Sequence, residues 1–343
     1  MNKQSIYIGN LFPQLWKEVE NYRAESLFIL TDNNTHRLCL NHLNDLNILP
    51  ENIIKIKAGD DNKNVEALTS VWQHLSSHGA SRKSLLINLG GGMITDLGGF
   101  AASTFKRGME YINIPTTLLG AIDAAVGGKT GINFNGLKNE VGVINPSQSV
   151  LIDVQFFKTL DHENFLTGYA EMIKHGLISN KKVWNHILNF NLDSIDYTIL
   201  PELLKESIEV KQEIVKIDPS EKGIRKALNF GHTIGHAFES YALECSLPKL
   251  HGYAVAWGMI SELYLSYKKC GFDKDILRQA VTLIKENYGA LEITCKEYDL
   301  LYELMTHDKK NEGDGRIIFN HLGGLGDVRF NTDVTKKEKC ESL

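Results

Sequence analysis

The chain has 343 residues, 43% of them hydrophobic, and a formal net charge of −5 at neutral pH. Such a length and apolar content can bury a large core and are expected to divide into two domains. The acidic balance excludes nonspecific nucleic-acid binding, and no apolar run reaches the ~20 residues of a membrane span.

The N-terminus has no signal-peptide pattern. Five cysteines (Cys39, Cys245, Cys270, Cys295, Cys340) are scattered without a Cys-x-x-Cys. They predict reduced thiols, a cytoplasmic setting and no disulfide framework. Cys245 reads as a small packing residue rather than a ligand.

In chain order, residues 26–31 form a buried-strand run ending in Asp32-Asn33-Asn34, and 52–56 reads as a second strand. Helical stretches over 36–46 and 65–78 follow them. This alternation predicts a parallel sheet covered on both faces. Ligands of such sheets bind at the carboxyl ends of strands, where Asp32, Asn34 and the turn Gly59-Asp60-Asp61-Asn62-Lys63 fall. Taken singly, these residues are turn formers.

A third strand over 84–89 runs into Gly90-Gly91-Gly92-Met93-Ile94-Thr95-Asp96. Glycines after a strand allow close backbone approach, and the next helix N-terminus offers N–H groups to a phosphate. The alternative is a glycine-rich packing corner. Residues 111–115 make a fourth strand, after which Thr116-Thr117 either caps a short helix over 118–126 or hydrogen-bonds a cofactor. Gly127-Gly128-Lys129-Thr130 looks like the end of a phosphate-binding loop but follows a helix, which rejects a P-loop for ATP. Asn135-Gly136 predicts a hairpin turn presenting Lys138 and Asn139. The sheet is expected to close with 150–153, and 159–163 reads as a linker.

From Asn164 helical patterns take over. Over 168–175, Glu171, Lys174 and His175 share a helix face. Glu171 and Lys174 are either an intrahelical ion pair or a metal carboxylate beside a lysine that faces an anion. Residues 203–215 form a helix carrying Lys211. Asp218-Pro219-Ser220-Glu221 matches a helix N-terminus, with Glu221 as a capping residue. If the next segment is helical, Arg225, Asn229 and His232 point along one side. His232 and His236, spaced i, i+4, point to one face and can meet one object near the start of a helix, and His251 opens another over 251–267. Imidazole is the commonest zinc ligand; a buried pair satisfied by backbone carbonyls is the other reading. Asp308-Lys309-Lys310-Asn311 precedes a short strand over 316–319, and the polar tail after Val334 is expected to fray.

The polar residues beside these motifs are mostly basic: Arg107, Lys129, Lys138, Lys174, Lys211, Arg225, Lys310. Gathering cations beside a divalent metal suits a multiply charged anion, such as a phosphate ester that also bears a carboxylate.

The ordered motifs Gly-Gly-Gly-Met-Ile-Thr-Asp, Pro-Thr-Thr-Leu-Leu, Asp123-Ala-Ala-Val-Gly-Gly-Lys129-Thr, Leu137-Lys138-Asn139, Ala170-Glu171-x-x-Lys174, Glu221-Lys-Gly-x-Arg225-x-x-Leu-Asn229-Phe-Gly-His232-x-x-Gly-His236 and Asp308-Lys309-Lys310 resemble the 3-dehydroquinate synthases, from about Asp32 to Asp327. The resemblance implies a Rossmann-like NAD-binding α/β domain over 1–163 and an all-α metal-binding domain over 164–343, with the active site in the cleft between. Glu171, His232 and His251 would hold zinc, or cobalt in its place. His236, Lys129 and Glu221 would be the catalytic groups.

Asp123, Lys129, Asn139, Lys174, Lys211, Arg225, Asn229, His236 and Lys310 resemble substrate contacts, with Arg107 reaching the phosphate from the second copy of a homodimer. Asp32, Asn34, Asp60, Lys63, Gly91, Gly92, Met93, Ile94, Thr95, Asp96, Thr116, Thr117, Asp123, Lys129, Lys138, Phe156, Phe157, Lys158 and Thr159 would line NAD. Asp60 stands where the family usually has Glu, Ala124-Ala125 where it has Ser-Ser, and Asp161, Glu163 and Asn164 depart from its linker motif.

The implied reaction converts 3-deoxy-D-arabino-heptulosonate 7-phosphate to 3-dehydroquinate and phosphate. It proceeds by transient oxidation, β-elimination, re-reduction and aldol closure, a carbon–oxygen lyase reaction with no net redox change. The rival readings are another sugar-phosphate cyclase and a metal-dependent NAD polyol dehydrogenase, which would accumulate NADH.

Overall fold

The computed structural model describes residues 4–219, 221–306, 317, 319–332 and 334–343. The chain forms two compact units, Met1–Asp161 and His162–Leu343.

The first unit contains β1 (Ser5–Ile8), α1 (Leu11–Val19), β2 (Leu27–Asp32), α2 (Asn33–Leu38), β3 (Ile53–Ile56), α3 (Val65–Ser77), β4 (Leu85–Gly90), α4 (Gly92–Thr104), β5 (Glu110–Pro115), β6 (Lys129–Phe134), β7 (Leu137–Ile144) and β8 (Ser149–Ile152). Six strands make a parallel sheet in the order β1-β8-β5-β4-β2-β3. Every residue of β2 and β4 is buried, as expected of strands covered on both faces. From β2 the chain moves outward to β3, then returns to the other side of β2 to lay down β4 and β5. The β2–β4 boundary is therefore the switch point of the sheet, where α/β folds open a crevice at the carboxyl ends.

Several boundaries differ from expectation. The helix expected over 36–46 starts at Asn33, capped by Asp32, and passes into a 3-10 helix over Leu40–Leu46. The stretch after Thr117 contains a π-helical turn, Gly120–Ala124. β8 does not close the sheet, because β1 pairs outside it, Ser5 opposite Ser149. β6 and β7 form a separate antiparallel ribbon, turned at Asn135 and Gly136 with φ of 50° and 76°. Left-handed values at both turn residues match the type I′ turn that Asn-Gly favours.

The second unit contains α5 (His162–Leu177), α6 (Lys181–Leu188), α7 (Leu200–Ile217), α8 (His232–Glu244), α9 (His251–Cys270), α10 (Lys274–Tyr288), α11 (Tyr298–Thr306), β9 (Phe319–Gly324), β10 (Asp327–Thr332) and α12 (Lys336–Ser342). It is helical but not purely so, since β9 and β10 pair as an antiparallel hairpin. α5 begins at His162, inside the stretch read as linker. The tail forms α12 rather than fraying, because Thr335 and Glu338 make a reciprocal capping box that satisfies N-terminal N–H groups. Of the strand expected over 316–319, Phe319 opens β9; Arg316 and Ile318 lie outside the described residues, as does Lys310.

Asp218-Pro219-Ser220-Glu221 is not a helix start. Asp218 is the C-cap of α7, and its carboxylate accepts N–H bonds from Lys222 (3.0 Å), Gly223 (2.7 Å) and Arg225 (3.1 Å). The chain wraps around that carboxylate, with Glu221 at φ 58°, and enters a 3-10 helix over Ile224–Asn229.

Among the described residues no helix is long and apolar enough to cross a membrane. All five cysteines are free, and Cys245 is exposed at the C-cap of α8 rather than packed.

Candidate functional site

In the first unit, the carboxyl ends of β2 and β4 carry Asp32 and Gly90-Gly91-Gly92. Asp32 Oδ1 accepts N–H bonds from Asn34 (2.7 Å) and Thr35 (2.9 Å), so part of its carboxylate is spent on capping α2. Gly91 is the N-cap of α4 and supplies no side-chain cap, leaving the positive end of the helix dipole open to an anion. A Cβ on Gly91 would lie 2.9 Å from Thr117 Cγ2, and one on Gly92 would lie 3.1 Å from Ala124 Cβ. The absence of side chains lets this turn pack closely against the segment after β5, where the Thr116 N–H donates to Gly90 O at 3.0 Å. The donor set, backbone amides at an uncapped helix start, fits the pyrophosphate of a dinucleotide.

Beside this corner the β6–β7 ribbon brings Lys138 and Asn139 to the Asp60–Lys63 turn. The buried Lys63 Nζ donates to Asp96 Oδ2 (3.0 Å) and Asn139 Oδ1 (2.6 Å) and lies 3.4 Å from Asp60 Oδ1. Lys138 Nζ stands 3.9 Å from Asp60 Oδ2. Burial lifts the Asp96 carboxyl to about 6 despite Lys63, and nearby Asp123 and Asp60 add to the rise. Asn139, expected on the substrate, thus shares a lysine with residues expected on NAD. Phe156 and Phe157 are 2% and 1% exposed, so their rings belong to the core and any contact they make with a cofactor is through the backbone. Asn34, Arg107, Lys129 and Lys158 are exposed.

In the second unit, His232, His236 and His251 form one cluster, and Glu171 on α5 approaches it at His232; among the described residues Glu171 is not within reach of all three rings at once. Glu171 is fully buried and ion-paired through Oε2 to Lys174, itself buried. The intrahelical pair therefore forms, and Lys174 is turned to Glu171 rather than to solvent. Glu171 Oε1, equally buried, makes no hydrogen bond among the described residues and lies 3.5 Å from His232 Nε2. That is too long for a hydrogen bond, but two ligands of one tetrahedral zinc stand about 3.4 Å apart.

The ligand atoms of His232, His236 and His251 all lie within 4.8 Å of one another. His232 Nδ1 is 3.2 Å from Phe230 O and His251 Nδ1 is 2.9 Å from Glu239 Oε2. An oxygen behind each ring directs the other nitrogen's lone pair forward, the usual arrangement of metal-bound histidine. A three-histidine cluster beside a buried carboxylate oxygen that has no hydrogen bond among the described residues fits a divalent cation.

The helices that carry these groups pack closely enough to need glycine. Along α9, His251, Val255, Gly258 and Glu262 share one seam against α8. A Cβ on Gly258 would lie 2.6 Å from Gly235 N, and one on Gly252 would lie 2.7 Å from the carbonyl carbon of Thr167 on α5. Gly231, at φ 81°, precedes α8 and donates its N–H to the buried Glu262 Oε2 at 2.8 Å. Sequence reasoning missed Glu262, Glu239 and this glycine seam, although glycines recurring within helices were a readable signal of close approach.

Lys211 and Arg225 are buried, at 6% and 3% exposure, with Arg225 Nη1 donating to Pro219 O at 2.7 Å. Asn229 Nδ2 donates to Glu221 Oε1 at 2.9 Å.

A family model described as 3-dehydroquinate synthase N-terminal matches residues 53–167, and one described as 3-dehydroquinate synthase C-terminal matches 168–311. The chain belongs to the 3-dehydroquinate synthase family. A 3-dehydroquinate synthase of Parabacteroides distasonis is 54% identical over all of this chain and 98% of its own length. One from Clostridium tetani is 36% identical over all of this chain and 92% of its own. Among solved structures, a 2-epi-5-epi-valiolone synthase from Streptomyces hygroscopicus with NAD+ and Zn2+ bound aligns with a TM-score of 0.83 at 24% identity, covering 99% of this chain and 95% of that one. A 2-deoxy-scyllo-inosose synthase complexed with carbaglucose-6-phosphate, NAD+ and Co2+ aligns at 0.82, also 24% identical, over 98% and 95%. At that identity the likeness shows the fold: a Rossmann-like parallel sheet followed by a helical unit.

Proposed function

We propose that this chain converts 3-deoxy-D-arabino-heptulosonate 7-phosphate to 3-dehydroquinate and phosphate, using NAD and a divalent metal, zinc or cobalt. The observation that carries the reading is the buried Glu171 oxygen, without a hydrogen bond among the described residues and 3.5 Å from His232 Nε2, in a chain matched by a 3-dehydroquinate synthase along its full length. When bound, the cation supplies Lewis-acid polarisation of the substrate hydroxyls and NAD supplies a reversible hydride acceptor. Glu171, His232 and His251 would hold the cation. The amides of Gly91 and Gly92 would bind the dinucleotide phosphates, and Asp60, steadied by Lys63, would accept from a ribose hydroxyl.

His236 moves the proton at the C5 hydroxyl, assisted by Lys129 and Glu221, since imidazole titrates near working pH. Lys211, Arg225, Asn229 and Lys310 orient the phosphate and carboxylate before chemistry, and Lys174, paired with Glu171, joins them where a cation takes its place on that carboxylate. The working form is a cytoplasmic homodimer in which Arg107 of one copy reaches the phosphate held by the other. The outward apolar residues Leu137, Val141, Val143 and Ile144 of β7, each 37–48% exposed, support self-association.

The test is phosphate release from the heptulosonate phosphate without lasting NADH absorbance; lasting NADH would point to a polyol dehydrogenase instead. Within the site, His232→Ala is expected to lose metal and turnover together, whereas His236→Ala keeps metal and loses rate. The three-histidine cluster admits His236 as a ligand, and metal loss in His236→Ala would assign it there.

A further inference from the structure

We infer that Glu262 is a positioning residue for the metal site: its buried carboxylate holds the turn that aims His232 before any metal binds. The inference rests on the metal reading above and adds to it the group that prepares one ligand. Glu262 is fully buried, three helical turns along α9 from His251 and on the same seam. Its Oε2 accepts the N–H of Gly231 at 2.8 Å, and its Oε1 faces the N–H of Ile234 at 3.4 Å.

These amides flank His232 in sequence. Gly231 is the left-handed N-cap and offers no side chain to cap α8, so Glu262 performs from the neighbouring helix what an N-cap residue does locally. A carboxylate at this end also opposes the positive pole of α8, which otherwise disfavours a cation nearby.

The arrangement is a clamp with two ends. At one end α9 reaches α8 through Glu262 and Gly231; at the other, α8 reaches α9 through Glu239 and His251, 2.9 Å apart. Between them Gly235 and Gly258 make the close crossing. Both ends act on a residue expected to bind metal: one sets the backbone before His232, the other the ring of His251. A left-handed turn at φ 81° could otherwise relax and swing His232 away from Glu171.

The test uses the full chain and Co2+ alone as probe, read by the visible d–d absorption of the bound ion in competition with a chelator. Glu262→Gln keeps the volume but offers one acceptor where the carboxylate has two. It is expected to bind Co2+ roughly 10–100-fold more weakly than wild type, with an altered band shape, while the metal-free protein still melts cooperatively. Glu262→Met, with no acceptor, should be weaker still. Wild-type affinity and spectrum in Glu262→Gln would overturn the inference, whereas absence of a band in wild type would overturn the metal reading itself.

If both variants fail to fold, hydrogen exchange on wild type decides the matter. The amides of Gly231 and Ile234 should be protected in the metal-free protein. Protection that appears only when metal is added would mean that the ion, not Glu262, organises the turn.

Discussion

Gly252 sits one residue after His251, where α9 passes α5. A Cβ built on it falls on the backbone of Thr167, 2.7 Å from the carbonyl carbon and closer still to Cα and O, while real Cβ contacts essentially never come under 3.0 Å. No side chain can rotate away from a backbone clash, so Gly252→Ala must part the two helices, by about 1 Å if the shift is shared evenly. Stability is not the sharpest reading. Overpacking costs about 1–3 kcal/mol, and alanine returns at most about 1 kcal/mol through helix propensity.

Geometry is more demanding, since metal–ligand distances tolerate roughly 0.2 Å. A 1 Å displacement between α5, which carries Glu171, and the first turn of α9, which carries His251, is about five times that. The expected result is a melting temperature only a few degrees lower but a zinc affinity reduced at least tenfold, measured by chelator competition. A variant that binds zinc as wild type does, at any melting temperature, would refute the argument that glycine packing fixes the ligand spacing.

Lys174→Met removes the cation from a buried carboxylate and should destabilise the metal-free protein by roughly 3–5 kcal/mol in denaturant titrations. Saturating zinc should recover part of that loss, because an ion that binds only the folded chain stabilises it by mass action. The Asp96 carboxyl should titrate near pH 6 by carbon-13 NMR and move higher in Lys63→Met, where burial acts without the neighbouring ammonium. With the folded value raised, this group's stabilising contribution is complete below about pH 3.9 and is lost as pH rises through about 6; Asp96→Asn should flatten that part of the profile.

His321 in β9 is fully buried, with no well-formed hydrogen bond to either ring nitrogen among the described residues, and burial followed by Lys269 depresses it to about 4 while the Asn320 backbone and Glu338 pull the other way. Its contribution is present above about pH 6.5 and disappears as pH falls through 4, a change of roughly 3 kcal/mol. His321→Phe, which keeps a ring beside Phe319, should unfold less readily in that window; an unchanged acid transition would count against it.

The readable parts of the fold were those written in short-range spacing. The apolar runs before Asp32 and Gly90 gave the central strands, Asn135-Gly136 gave its hairpin, and the four-residue step from His232 to His236 put both on one helix face. What stayed hidden depends on partners far away in sequence. β1 is four residues paired with β8, a match no local pattern announces. Glu221 looked like a cap because Asp218-Pro219 imitates a helix start, but the Asp218 carboxylate had already gathered the following N–H groups. Some signals were simply overlooked: Thr335-Lys-Lys-Glu338 spells the capping box that stops the tail from fraying.

The histidines show where spacing ends and structure begins. An i, i+4 pair makes both rings equal candidates for a metal. An acceptor behind a ring fixes its tautomer and the direction of the remaining lone pair, and so prepares it for a metal. For His232 that acceptor is the carbonyl of Phe230, and for His251 it is Glu239, which approaches from another helix. The second could not have been read from the neighbourhood of either residue. It follows from the glycines that let α8 and α9 touch, so residues with no side chain bring the imidazoles of two helices within reach of one ion.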